Sequence, residues 1–517
     1  MPLYSREKAR RSLLNTVGYR AISQVATLAG YVVLVRSLSE HSFGIYSLLY
    51  AIIPVISTAA SLGLEQTLRR FQPEYLRVGD ASAAAWLLRV VMIARFSSNA
   101  VILALLFVAW NVVAPIFGLG PYRADFALFC LLVLLYFQGR ILEFALASHM
   151  LHRFGVGSTV LLAVTKLLAY AILAALHALS LRSAILVDTL AYGLAYVFMR
   201  TAYRYAASGA RTRAAYRLPA TERTRLLRYA LYNNFNDAGS ILLYVQTDNF
   251  FIAALLNPVA VGAYAFYTRV NAMVSSLTPM RLFENVVQPL FFATPAQQAS
   301  DRIPRYFTLL LNCSLLAQLP IVAYATVYHG EIVGLLLGGK FQDLSWLMPV
   351  IIAFGTTSNV IAIPVTNVAQ YHERAALILG SQLFGIYQIG CMILLVPYIG
   401  LLGAAVATGT YHLFRNLFVW WQVRRDARWL NFPAVVTCAT LVWGGAILAC
   451  SELKRVIAAP PLAAMACGVV VCGLAALVYV RTPALSRSDR ELLAQVFHGR
   501  EARLLHRLGV LRPLGHA

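Results

Sequence analysis

The residues of this sequence that could do chemistry are ionisable side chains set inside long apolar runs. Arg20, Arg89, Arg95, Arg140 and Lys166 stand in the first 200 residues among Leu, Val, Ala, Ile and Phe, accompanied by Glu65 and Glu143. A charge inside a bilayer costs about 3 kcal/mol on insertion scales, so such groups face a cavity or a partner. Several fixed cations suit an anion, and guanidinium groups pair with phosphate oxygens in a planar fork. The alternative is snorkelling, in which long stems lift the charge to the anionic headgroups. Arg20 and Arg95 lie deeper in their runs than Arg89 and Arg140, which favours the cavity reading for the first two. Glu143, at i+3 from Arg140, can also neutralise it along one helix.

The second half carries a different set: Arg269 with Asp237, Asp248 and Glu284. An isolated carboxylate near mid-membrane reads as a proton or sodium site. Asn233, Asn249 and Thr408 are the oxygen-bearing neighbours that could complete a sodium shell. A salt bridge from Asp248 to Arg269 is the alternative. Glu284 falls near the end of its run and reads as interfacial. No GxxxxGK[ST] phosphate loop, HExxH or nucleotide-sugar DxD motif is present. The seven cysteines form no CxxC pair and read as small hydrophobes, with no metal site. The expected cofactor list is therefore empty, apart from Na⁺ or H⁺ as a coupling ion.

The elements that must hold these residues are membrane helices. Apolar residues make up 60% of the 517, charged residues only 12%, and mean hydropathy is +0.68. Ordinary globular chains are about 25% charged. This excludes a soluble enzyme, a disordered chain and, despite a net charge of +22, a nucleic-acid binder: the basic residues sit at the ends of apolar runs, not in one patch. A spanning helix needs about 20 mostly apolar residues. Fourteen such spans are expected, at 13–36, 43–66, 86–113, 125–148, 156–178, 184–203, 228–254, 260–290, 306–328, 345–368, 376–397, 400–423, 433–451 and 461–480. With the N-terminus inside, Lys and Arg number 31 on the inner side and 6 on the outer, so both termini are expected in the cytoplasm. The outer loops are short, which argues against a membrane enzyme of envelope polymer synthesis.

An internal repeat organises the spans. "RSLSEHSFGIYSLLYAI" (36–52) matches "ALLNPVAVGAYAFYTRV" (254–270), pairing Gly44 with Gly262 and Tyr46 with Tyr264. "SLRSAILVDTLAY" (180–192) matches "GLLGAAVATGTYH" (400–412) at nearly the same offset. Two six-span halves in the same orientation follow, with a cavity expected between such repeats. The expected organisation is an N-terminal lobe at 1–205, a basic linker at 206–227 on the anionic inner leaflet, a C-terminal lobe at 228–425, two further spans at 426–480 and a basic tail at 481–517. The tail opens on a Ser488/Glu491 capping box and has an amphipathic helical pattern. Pro279, Pro320, Pro349 and Pro364 are expected to break their spans.

"SEHSFGIYSLLYAI", "TDNFFIAALLNPVAVGAY" (247–264) and "VPYIGLLGAAVATG" (396–409) resemble the polysaccharide-transporter branch of the multidrug/oligosaccharidyl-lipid/polysaccharide exporter superfamily. The resemblance covers the first twelve spans, with two more behind. It implies an all-α polytopic fold of two six-helix lobes, alternating access, and an undecaprenyl-pyrophosphate-linked oligosaccharide as cargo. The cell inner membrane is the implied location. Membrane lipids, a polysaccharide polymerase and chain-length machinery are the implied partners. The related peptidoglycan-precursor flippases carry cavity arginines in spans one and eight, where Arg20 and Arg269 fall here. A cation-coupled drug or metabolite antiporter on the same scaffold is the competing reading.

Overall fold

The computed structural model describes residues 6–149, 151–207, 219–239, 245–276, 299–372, 374–425, 427–456, 460–487 and 489–491. These residues are helical or in short connections, with no strand among them. Ten of the described helices are long and apolar enough to cross a bilayer. The chain is thus an all-α, multi-pass membrane protein. It forms two compact units, Met1–Ala265 and Phe266–Ala517.

In the first unit, α1 (Arg6–Ser37) and α2 (Glu40–Ala59) are separated by Ser39, whose Oγ accepts from the Ser42 N–H at 3.1 Å. Such an N-cap is worth about 1 kcal/mol. Helices α3 (Leu64–Val78) and α4 (Ala81–Val108) are divided by Gly79, in the left-handed region, and by Asp80, whose carboxylate accepts from the Ala83 N–H at 2.8 Å. Then follow α5 (Arg123–Ser148), α6 (His152–Ala175), α7 (Leu181–Ala207), α8 (Ala220–Gly239) and α9 (Val245–Leu255). α1 lies along α6, and α5 along α7. Leu68, Phe71, Leu88, Ile141, Leu142, Met199 and Tyr203 close one core around α3, α4, α5 and α7. Helix α10 (Pro258–Ser276) carries the division between the units.

The second unit holds α11 (Ala299–Leu337), α12 (Leu347–Tyr371), α13 (Phe384–Val423), α14 (Phe432–Val456) and α15 (Pro461–Arg481). Within α13 the chain reverses at Ile399 and Gly400, the latter at φ +58° and ψ −137°. A Cβ on Gly403 would lie 2.7 Å from the Leu395 carbonyl carbon. Gln388 donates to Thr408 and Tyr387 to Thr410 across the two arms. The two arms are the spans expected at 376–397 and 400–423, joined by a tight hairpin. Helices α14 and α15 pack together against α11, with Trp443 and Tyr479 in the shared core.

Three expectations change. The span expected at 43–66 ends at Ala59; Leu62 (φ +48°) and Gly63 (φ +64°) turn the backbone, so Glu65 opens the separate helix α3. Pro320 and Pro364 sit inside continuous helices, because each removes one backbone donor without ending the run. The cap at the tail forms at Ser486, whose Oγ accepts from the Asp489 N–H at 3.1 Å while Asp489 Oδ2 accepts from the Ser486 N–H at 3.0 Å. Glu491 instead pairs with Arg487. Pro279, Glu284, Ser488, most of the linker and the amphipathic part of the tail lie outside the described residues.

Candidate functional site

Two charged groups lie inside the first unit. The first gathers where α2 ends and α3 begins. Gly63 makes this junction possible: a Cβ there would sit 1.9 Å from the Ala230 carbonyl oxygen on α8, and its φ of +64° disfavours other residues. The turn points Glu65 at α4 and α5. Its Oε1 lies 3.4 Å from Arg95 Nη2 and its Oε2 lies 3.6 Å from Arg140 Nη2. Arg95 Nη2 also donates to the Ser57 carbonyl at 2.8 Å, near the exposed end of the α2 hydrogen-bond ladder. The Arg95 guanidinium stands 4.5 Å from the Phe137 ring centre. Arg140 donates to the Tyr136 hydroxyl at 3.2 Å, and Arg69 lies over the Phe144 ring at 3.7 Å. Glu143 adds a second carboxylate to the field at Arg69 and Arg140. Three guanidinium groups thus face two carboxylates.

Accessibility divides these cations. The Arg95 side chain is 0% exposed, whereas Arg140 keeps 37% of its side-chain surface. Arg69 is exposed as well. Arg95 therefore serves as a brace, tying Glu65 to the end of α2, while Arg69 and Arg140 can meet an incoming anion. Arg140 reaches across to Glu65, so the i+3 pairing with Glu143 is not its only neutralising contact.

The second group is centred on Asp188 of α7, which is fully buried. Its Oδ1 accepts from Lys166 Nζ at 2.7 Å and from the Tyr170 hydroxyl. Its Oδ2 accepts from the Tyr46 hydroxyl at 2.6 Å and from the Tyr50 hydroxyl. Four donors fill the acceptor capacity of one carboxylate. The Tyr50, Tyr170 and Tyr192 rings stand 5.6–5.9 Å from the ammonium. Asp188, Tyr50 and Tyr170 are not among the candidates that the sequence singles out. The signal was there as i,i+4 pairs: Tyr46 with Tyr50, Lys166 with Tyr170, and Asp188 with Tyr192.

The remaining candidates belong to neither group as described. Arg89 is exposed on α4, and Arg269 is exposed on α10 in the second unit. Arg20 lies on α1 and Asp237 on α8, with both side chains outside the described ones. Asp248 opens α9 and is 1% exposed; its Oδ2 accepts from the Tyr264 hydroxyl at 3.0 Å. Its neighbour Asn249 is also buried, and Thr408 in the second unit accepts from Gln388 at 3.3 Å. Tyr46 and Tyr264, matched by the repeat, thus each donate to a buried aspartate.

Known proteins share the family and the fold. The sequence model of a family described as "Polysaccharide biosynthesis protein" matches residues 33–345. No curated protein matches the chain. A solved structure described as lipid II flippase MurJ in an inward closed conformation is similar in fold: TM-score 0.68, 10% identity, covering 93% of this chain and 100% of the other. An inward-facing multidrug resistance MATE family transporter of the MOP superfamily gives TM-score 0.61 at 13% identity, over 80% of this chain and 98% of the other. A MATE structure in a bent conformation gives 0.51 at 13% identity, over 81% and 95%.

Proposed function

The chain belongs to the polysaccharide biosynthesis protein family, and from that premise we propose that it flips an undecaprenyl-pyrophosphate-linked oligosaccharide across the cytoplasmic membrane for surface polysaccharide synthesis. The observation that carries the reading is the pair of charged groups gathered around Glu65 and Asp188 in the first unit of a largely apolar bundle. Arg69, Arg140 and Lys166 are the reachable cations, and a pyrophosphate needs several fixed donors of this kind. Arg95 positions Glu65 and the end of α2. Arg20, Arg89 and Arg269 join the reading as further cationic contacts for cargo or headgroups. The lobes at 1–205 and 228–425 alternate access, and both termini are cytoplasmic.

No phosphate loop is present, so transport draws on the membrane potential, on an ion gradient or on consumption of the flipped lipid. A potential of about 100 mV is worth about 2.3 kcal/mol per charge moved. Asp248, with Asp237 as second candidate, is the coupling-ion site of this reading, and a polymerase with its chain-length machinery receives the product. The fold shared with a multidrug transporter supports a second reading, a cation-coupled drug or metabolite antiporter.

Proteoliposomes holding the purified chain separate the two. Accessibility of a labelled undecaprenyl-pyrophosphate oligosaccharide should change sides, and the change should be lost in Arg140→Ala/Lys166→Ala. Ion-driven expulsion of a cationic dye with no movement of the lipid would replace the first reading by the second.

A further inference from the structure

Lys166 and Asp188 are unequal partners. The carboxylate is 0% exposed, while the lysine keeps 21% of its side-chain surface. Of the two side chains, only the lysine is thus open to an approaching anion. The ammonium has three N–H donors, and Asp188 takes one of them. The carboxylate does not depend on it alone: Tyr46 and Tyr50 from α2 and Tyr170 from α6 also donate to it. A buried carboxylate stripped of every donor would be prohibitive. Here three phenols remain when the ammonium turns away.

Resting on the anionic-cargo reading above, we propose that Lys166 is exchanged between Asp188 in the empty transporter and a phosphoryl oxygen of the cargo in the loaded one. Tyr46, Tyr50 and Tyr170 hold the carboxylate in the interval. No bond forms or breaks beyond hydrogen bonds, and no proton is transferred. Asp188 is a positioning residue, which competes with cargo for the lysine and sets how tightly an anion is held. The exchange also reaches the helices, because the cage ties α2, α6 and α7 together and its ion pair is the tie that cargo removes.

Competition makes predictions of opposite sign. The probe is inorganic pyrophosphate, titrated into the purified full-length chain in detergent at fixed ionic strength. Asp188→Asn leaves Lys166 without its anionic rival, so pyrophosphate should bind about tenfold tighter, while turnover of lipid cargo slows because release is harder. Tyr46→Phe and Tyr170→Phe each remove one phenol, so the carboxylate leans harder on Lys166. Binding should weaken about threefold in each. Lys166→Met should lose most of the affinity, and adding Asp188→Asn to it should change nothing further.

A merely structural cage would lower melting temperature in every variant, with no opposed affinity shifts; that pattern overturns the exchange. Wild-type binding that Asp188→Asn leaves unchanged or weakens also overturns it, with the anionic-cargo reading intact. Absence of pyrophosphate binding in the wild type sinks both. If Asp188→Asn does not fold, the sign of the two phenol variants decides.

Discussion

Gly44 and Gly262, paired by the internal repeat, touch: a Cβ on Gly262 would stand 3.2 Å from the Gly44 backbone nitrogen. On the other side, a Cβ on Gly44 would fall 1.8 Å from the Pro258 carbonyl oxygen. The repeat therefore marks residues that meet in space, and here both are glycine because backbone packs on backbone, as in small-residue contacts of membrane helices.

Gly44→Ala should cost the protein about 2 kcal/mol or more, since the methyl can be housed only by moving α2 from α10. Thermal unfolding in detergent would read this as a lowered midpoint. Gly330→Ala, in α11 with open space around the new methyl, is the control and should hold or slightly raise the midpoint. Equal midpoints for Gly44→Ala and wild type would mean that the close approach is not maintained in solution.

Arg95 and Arg140 should separate when mutated. Sequence alone groups Arg95 with the cargo contacts, but its burial makes Arg95→Ala a folding variant. It removes the buried one of the two guanidinium partners of Glu65 and uncovers the Ser57 carbonyl, a loss of about 3 kcal/mol. Arg140→Ala should leave the folded amount near normal and weaken cargo binding roughly ten- to a hundredfold. Membrane protein yield, melting temperature and transport measured together would show the split. A well-folded but transport-dead Arg95→Ala would return Arg95 to the cargo contacts.

Asp248→Asn should keep cargo binding, slow turnover and flatten any dependence of transport on pH or sodium. Tyr264→Phe removes the hydroxyl that reaches Asp248 and should produce a smaller change in the same direction. Transport by both at the wild-type rate with unchanged ion dependence would remove Asp248 from the coupling role.

Asp489 fastens the segment after α15 to α11. Its Oδ2 accepts from Asn312 Nδ2 at 2.8 Å, while Asn431 donates to the Ala484 carbonyl. Burial raises the Asp489 carboxyl above its ordinary 3.8, while hydrogen bonds from Asn312 and Ser486 oppose the rise. A raised native value means that the folded state holds the proton more tightly, so stability falls as pH climbs from the ordinary carboxylate value to the raised one. Asp489→Asn should remove that part of the slope and keep an acceptor for Ser486. Asp489→Ala should lose about 1–2 kcal/mol at neutral pH. A pH series of melting curves on both variants would find the opposite order if the carboxylate charge itself held the segment.

Labelling of single cysteines placed in 206–225 checks orientation. An impermeant thiol reagent should reach them only after the membrane is opened. Labelling from outside intact cells would overturn the span count and the assignment of both termini to the cytoplasm.

Composition and periodicity were enough to make this chain a helical membrane protein, because a run of about 20 apolar residues has few other places to go. The repeat was legible too, since Gly44, Gly262, Tyr46 and Tyr264 keep their spacing. So were the two spans folded back at Gly400. The charged residues were visible one by one, but their partners were not. Glu65 looked like the end of a span until Leu62 and Gly63 turned it toward Arg95 and Arg140. Asp188 lies 142 positions from Tyr46 and 138 from Tyr50, a separation that no local pattern reports. Only the packing of α2, α6 and α7 brought four donors onto one carboxylate. The physical reason is that hydropathy is a property of each segment, whereas the satisfaction of a buried charge depends on which faces of different helices meet.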